Sequence, residues 1–131
     1  MTATAAPHAP ARSRGAEIGL WTLQVLLALM FVVASGAPKL FGEAYAVQLF
    51  TDLGAGQWLR YVVGVLEIAG GIGLLVPRLT RLAAVCLIAL MVGATVAQLF
   101  FLSEGFWYTP VILGVLLAVV AWSRGPASVR A

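Results

Sequence analysis

A glutamate stands in the middle of an otherwise apolar run, Gly64-Val-Leu-Glu67-Ile-Ala-Gly-Gly71-Ile-Gly73. If that run crosses a membrane, a charge at its centre costs on the order of 3 kcal/mol, so the side chain must face a bundle interior and take a partner. Two kinds of chemistry fit Glu67. It can relay a proton or touch a polar ligand such as a quinone head group. It can equally be a structural carboxyl that locks helices together. Lys39 closes the preceding apolar run in Ser35-Gly-Ala-Pro-Lys-Leu-Phe-Gly42, where Pro38 weakens the helix and frees carbonyls one turn upstream. A lysine at that depth can snorkel to the outer interface. Lys39 and Glu67 are expected to differ in depth by about two helical turns at 1.5 Å per residue. Direct contact would then need a tilted helix or a bridging water or ligand. Ser35 lies one turn below Lys39, and Thr95 and Gln98 share a face further along the chain. With Glu67 these side chains could line a small outward-facing polar cavity; interhelical hydrogen bonding is the plainer reading. Gln24 stands alone toward the inner end and reads as structural.

The elements that must hold these residues follow from composition. Of 131 residues, 62% are hydrophobic and 10% charged, against about 25% charged in a soluble domain. A globule of this size buries only roughly two-thirds of the surface its unfolded chain exposes, so lipid must cover the remainder. Apolar runs at about 18–40, 57–76, 80–102 and 106–122 are each long enough, or nearly so, to cross the hydrocarbon core. The expected fold is all-α, an antiparallel bundle of four transmembrane helices. Trp21, Trp107, Tyr108 and Trp122 sit where interfacial aromatics belong. Between the first two runs, Tyr45, Leu49 and Leu53 keep a helical spacing, as do Ala46 and Phe50, and Gly54 can stop a helix. This segment reads as a short amphipathic helix at the membrane surface.

The bundle is expected to occupy residues 18–122, between a disordered tail of residues 1–17 and a short tail of residues 123–131. The first apolar run is too long for the core of a typical cleaved leader and reads as a retained anchor. With the first tail inside, Arg12, Arg14, Arg78, Arg81, Arg124 and Arg130 lie inside and Lys39 and Arg60 outside, six basic residues against two. Glu43, Asp52 and Glu104 fall outside as well. This asymmetry predicts both termini in the cytoplasm.

Small residues supply close packing. Gly64, Gly70, Gly71 and Gly73 strip the second helix. Ala89, Gly93 and Ala97 form a stripe on the third, and Gly114 and Ala118 do so on the fourth. Such stripes can also build an oligomer face. The single cysteine, Cys86, and the single histidine, His8, provide neither a disulfide nor a CxxC pair nor a metal set. Nucleotide-loop and hydrolase motifs are missing. No catalytic constellation and no nucleic-acid partner follow from the sequence, and no cofactor is certain.

The strings Ser35-Gly-Ala-Pro-Lys39-Leu, Val65-Leu-Glu67-Ile-Ala-Gly-Gly and the Pro-Arg and Thr-Arg pairs between Leu75 and Leu82 resemble the DoxX-like family of small bacterial four-helix membrane proteins. The resemblance spans roughly Leu20 to Trp122 and implies the bacterial cytoplasmic (inner) membrane. Family members include the small membrane subunit of a thiosulfate:quinone oxidoreductase and components of membrane redox or oxidative-stress complexes. Lys39 and Glu67 match the family's polar signature. Cys86 alone departs from the paired cysteines of thiol-linked quinone reductases, which disfavours disulfide-forming chemistry. The expected role is a non-catalytic accessory or organising subunit of a membrane redox complex, bound to lipid and to a membrane protein partner or further copies of itself. The alternatives are a quinone-handling oxidoreductase component using Glu67 and a small oligomeric transporter.

Overall fold

The computed structural model describes residues 13–102 and 107–124. These residues are helical, with no strand among them. Helix α1 spans Arg14–Phe41, α2 Ala44–Leu53, α3 Gln57–Leu75, α4 Thr80–Phe100 and α5 Tyr108–Ser123. Three of them, α1, α3 and α4, are long and apolar enough to cross a membrane. At 1.5 Å per residue they extend about 42, 28 and 31 Å, whereas the 16 residues of α5 extend about 24 Å. Large apolar side chains point outward along them: Val33, Leu82 and Val92 are each 60% or more exposed. Apolar surface left open on this scale is covered by lipid, and the protein is a membrane protein.

Local chemistry sets the ends. The expected first helix began at Ile18, but α1 starts at Arg14, because Ser13 Oγ accepts the Ala16 N–H at 3.0 Å and caps the first turn. The tail expected over residues 1–17 is therefore helical from residue 14. α1 ends where Gly42 turns left-handed at φ +75°. Glu43 then caps α2 by accepting the Ala46 N–H at 3.2 Å. Gly54, at φ +79°, stops α2. α2 buries Ala46 and Phe50 and leaves Tyr45, Gln48, Thr51 and Asp52 exposed. The expectations for His8, Arg12, Glu104 and Arg130 fall outside the described residues.

Part of α1 is π-helical, over Met30–Gly36. Pro38 explains it. Its ring would strike the Ala34 carbonyl in a regular α-helix, and it has no N–H to donate. The wider turn relieves the clash, and the Ala37 N–H bonds the Val32 carbonyl five residues back.

Leu20, Leu27 and Phe31 of α1 pack with Leu74 of α3, Leu87 of α4 and Leu117 of α5 in an apolar core. The buried polar side chains of α3 are Arg60 and Glu67. α3 is the central element. Its buried Arg60, Gly64, Glu67, Gly71 and Leu74 follow steps of three and four, one stripe along one face.

Candidate functional site

Glu67 faces α1. The two helices cross where bare backbones meet. A Cβ at Gly36 would lie 2.6 Å from Ile68 Cγ1 and 3.0 Å from the Gly64 carbonyl oxygen. A Cβ at Gly64 would lie 3.1 Å from Lys39 Cβ, and one at Gly71 would lie 3.2 Å from the Ala28 carbonyl oxygen. These approaches put Glu67 level with the π-helical turn that carries Ser35. Ser35 Oγ donates to Glu67 Oε2 at 2.7 Å. Lys39 reaches back one turn, as side chains on a helix do. Its ammonium donates to Ser35 Oγ at 2.8 Å and to the Ser35 carbonyl at 3.2 Å. It lies 2.7 Å from Glu67 Oε1.

The contact between Lys39 and Glu67 is therefore direct and needs no bridging water or ligand. α1 and α3 approach closely at Gly36 and Gly64, and the long lysine side chain spans the remaining distance. The ion-pair contact at Oε1 is close, yet that oxygen receives no hydrogen bond of good alignment. Glu67 is 3% exposed and Lys39 17%, so the pair is enclosed by protein and meets the outside only along the lysine. Burying two charges is costly unless each is paired and hydrogen-bonded. Lys39, Ser35 and Glu67 meet most of that condition among themselves.

Thr95 and Gln98 do not join this cluster. Thr95 Oγ1 donates to the Met91 carbonyl of its own helix at 2.8 Å, a local bond that satisfies the hydroxyl. Gln98 Oε1 is enclosed and has no bonding partner. The reason is the facing of α3: Glu67 looks toward α1, whereas a Cβ at Gly70 would strike Leu87 of α4 at 2.6 Å and one at Gly73 would strike Ala83 at 2.9 Å. Gly93 has nothing within 4 Å of its Cβ position, and Gly114 meets Met91 at 3.7 Å. Gly93 thus takes no part in packing within the described chain.

Arg60, counted in the sequence only for its charge, belongs to the same face. It is 5% exposed. Its Nη1 donates to the Lys39 carbonyl and its Nε to Gln57 Oε1 at 2.7 Å. The Lys39 carbonyl belongs to the last turn of α1, so the guanidinium also complements the negative end of that helix. The spacing of Arg60, Gly64 and Glu67 by four and three was the available signal.

Gln24 is not alone. It is fully buried, donates to the Leu74 carbonyl at 2.8 Å and accepts from Arg124 Nε at 2.9 Å. Arg124 Nη2 pairs with Glu17 Oε2 at 2.6 Å, and its guanidinium carbon lies 5.3 Å from the centre of the Trp21 ring. Thr80 Oγ1 also donates to the Leu74 carbonyl, at 3.1 Å. This network ties the start of α1 to the ends of α3 and α5 and the start of α4. Glu17, Trp21 and Gln24 share one helix face, a pattern visible in the sequence but unread without Arg124.

Comparison with known proteins bears on the family of the chain. The model of the DoxX-like family matches residues 22–120. The Bacillus subtilis (strain 168) protein CatD, provisionally named an oxidoreductase, is 29% identical over 80 residues, which cover 61% of this chain and 59% of CatD. The chain thus spans 59% of the length of the curated relative it matches. No solved structure matches it.

Proposed function

The chain belongs to the DoxX-like family, and from that premise we propose that it is a small organising subunit of a redox-linked assembly in the bacterial inner membrane. In this reading α5 is a fourth span, α2 is an amphipathic helix on the outer surface, and both termini are cytoplasmic. The six-to-two split of basic residues supports the orientation. One observation carries the organising role. The most unusual side chain of the spans, Glu67, is held by Lys39 and Ser35 across the α1–α3 contact. A carboxylate held by its own chain locks two helices and fixes the surface they present. The apolar outer faces of α1, α3 and α4 then supply the area on which a membrane partner packs by van der Waals contact.

A second reading has specific support. CatD is named for redox chemistry, and Glu67 is a buried carboxyl inside a spanning helix, the kind of side chain a proton-handling site would use. Native mass spectrometry of the protein, extracted gently from its own membrane, separates the two. A polypeptide partner without stoichiometric quinone is the expected outcome. A quinone held one to one would replace the organising role with the redox one.

A further inference from the structure

Three charged residues lie along the α1–α3 contact: the Lys39 and Glu67 side chains pair, and Arg60 bonds the Lys39 carbonyl. Glu67 answers one of the two cations. Among the described residues no carboxylate forms an ion pair with Arg60; the acids nearest in sequence are engaged elsewhere. Glu43 caps α2 through the Ala46 N–H, and Asp52 accepts from Gln48 Nε2 at 2.8 Å. Arg60 is nevertheless 95% enclosed, being 5% exposed. An enclosed cation with no counter-charge is unstable in a low-dielectric setting, and the partial charge at the end of α1 offsets only part of it.

The guanidinium is also short of acceptors. Of its five N–H donors, one on Nε and one on Nη1 are used. Nη2 makes no bond among the described residues, and it is not one of the fully enclosed polar atoms left without a partner, so the small exposed area of Arg60 includes part of it. Tyr61, the next residue, is 48% exposed, and Trp58, 62% exposed, stands on another face of the same stretch of α3. The guanidinium carbon lies 4.3 Å from the centre of the Tyr61 ring. Exposed Trp and Tyr on a spanning helix mark the interface, which is the depth of lipid phosphates.

We infer that Arg60, with Nη2 unbonded and Tyr61 against its guanidinium, is an anion site that takes a phosphate group, supplied by an anionic phospholipid or by a free phosphate compound. The planar fork suits two phosphate oxygens, and the anion completes the charge balance that Glu67 leaves unfinished. The site needs only the membrane placement of α3 and is independent of the organising role.

The test uses the full-length protein in detergent, offered equal amounts of phosphatidylglycerol and phosphatidylcholine, with lipid retention read by native mass spectrometry. The wild type retains phosphatidylglycerol preferentially. Arg60→Gln lowers that retention roughly tenfold or more, the loss expected for a charge-assisted hydrogen bond. Arg60→Lys falls between, and Arg81→Gln at the other end matches the wild type. Thermal unfolding of the wild type alone gives a reading that does not depend on the variants. A rise in Tm with phosphatidylglycerol but not with inorganic phosphate identifies the lipid as the source. A rise with inorganic phosphate over chloride identifies a soluble phosphate. Equal retention of both lipids with no shift from either phosphate source, or undiminished phosphatidylglycerol retention by folded Arg60→Gln, overturns the site.

Discussion

Replacing Lys39 alone should do more harm than replacing Lys39 and Glu67 together. Lys39→Met leaves an enclosed carboxylate with only Ser35 as donor, and removing one partner of a buried pair costs about 3–5 kcal/mol. Lys39→Met/Glu67→Leu removes both charges and should regain most of that loss; thermal unfolding of the purified variants checks the order. Gln24→Leu at the other end should cost about 1–3 kcal/mol, since it strips a buried acceptor from Arg124 and a donor from the Leu74 carbonyl. Glu67, Lys39 and Ser35 were legible in the sequence because polar residues stand out in apolar runs. Their contact was not, because counting Cα levels ignores where side chains lean and how closely glycines let two helices approach. Arg60 was visible as a charge. Its spacing from Gly64 and Glu67 placed it on their face, but the end of α1 that lies over it and accepts its Nη1 shows in no local pattern.

At the scale of elements, the glycines divide by what a methyl group would meet. Gly36→Ala must displace Ile68 Cγ1 and also two carbonyl oxygens, of Phe31 and Gly64, at 2.8 and 3.0 Å. Backbone cannot yield as a side chain can, so this change should cost about 1–3 kcal/mol by overpacking. Gly93→Ala meets nothing and should leave the unfolding temperature of the isolated chain unchanged or slightly raised. If Gly93→Ala destabilises only in the native membrane, the α4 stripe packs against another chain there. Helix existence was legible from hydrophobic run length for the long helices and from spacing for α2, and the observed ends of α3 differ little from the expected 57–76. The π-helical turn of α1 was hidden. The sequence shows Pro38 as a weak point, but whether a proline produces a kink, a break or a widened turn depends on what the neighbouring helix can accept. Here Ser35, in that turn, gains Glu67 as a partner.

For the whole molecule, orientation and assembly are the quantities at stake. In the proposed orientation, a reporter fused after Ala131 should be active only in its cytoplasm-sensing form, and removing residues 1–11 should leave insertion unchanged, because all six basic residues assigned to the inner side remain. The membrane character was plain from composition, and the family from short strings around Lys39 and Glu67. What the protein works on was not legible, because its polar groups largely satisfy one another and no catalytic motif accompanies them. The most direct measurement is the native mass spectrum of the Lys39→Met/Glu67→Leu protein, extracted from its own membrane beside the wild type. If the pair is a lock, the folded double variant carries the same polypeptide partner in the same ratio as the wild type, and neither holds a stoichiometric quinone. A quinone bound one to one to the wild type and lost from the folded double variant would contradict this and make Glu67 part of a reaction site.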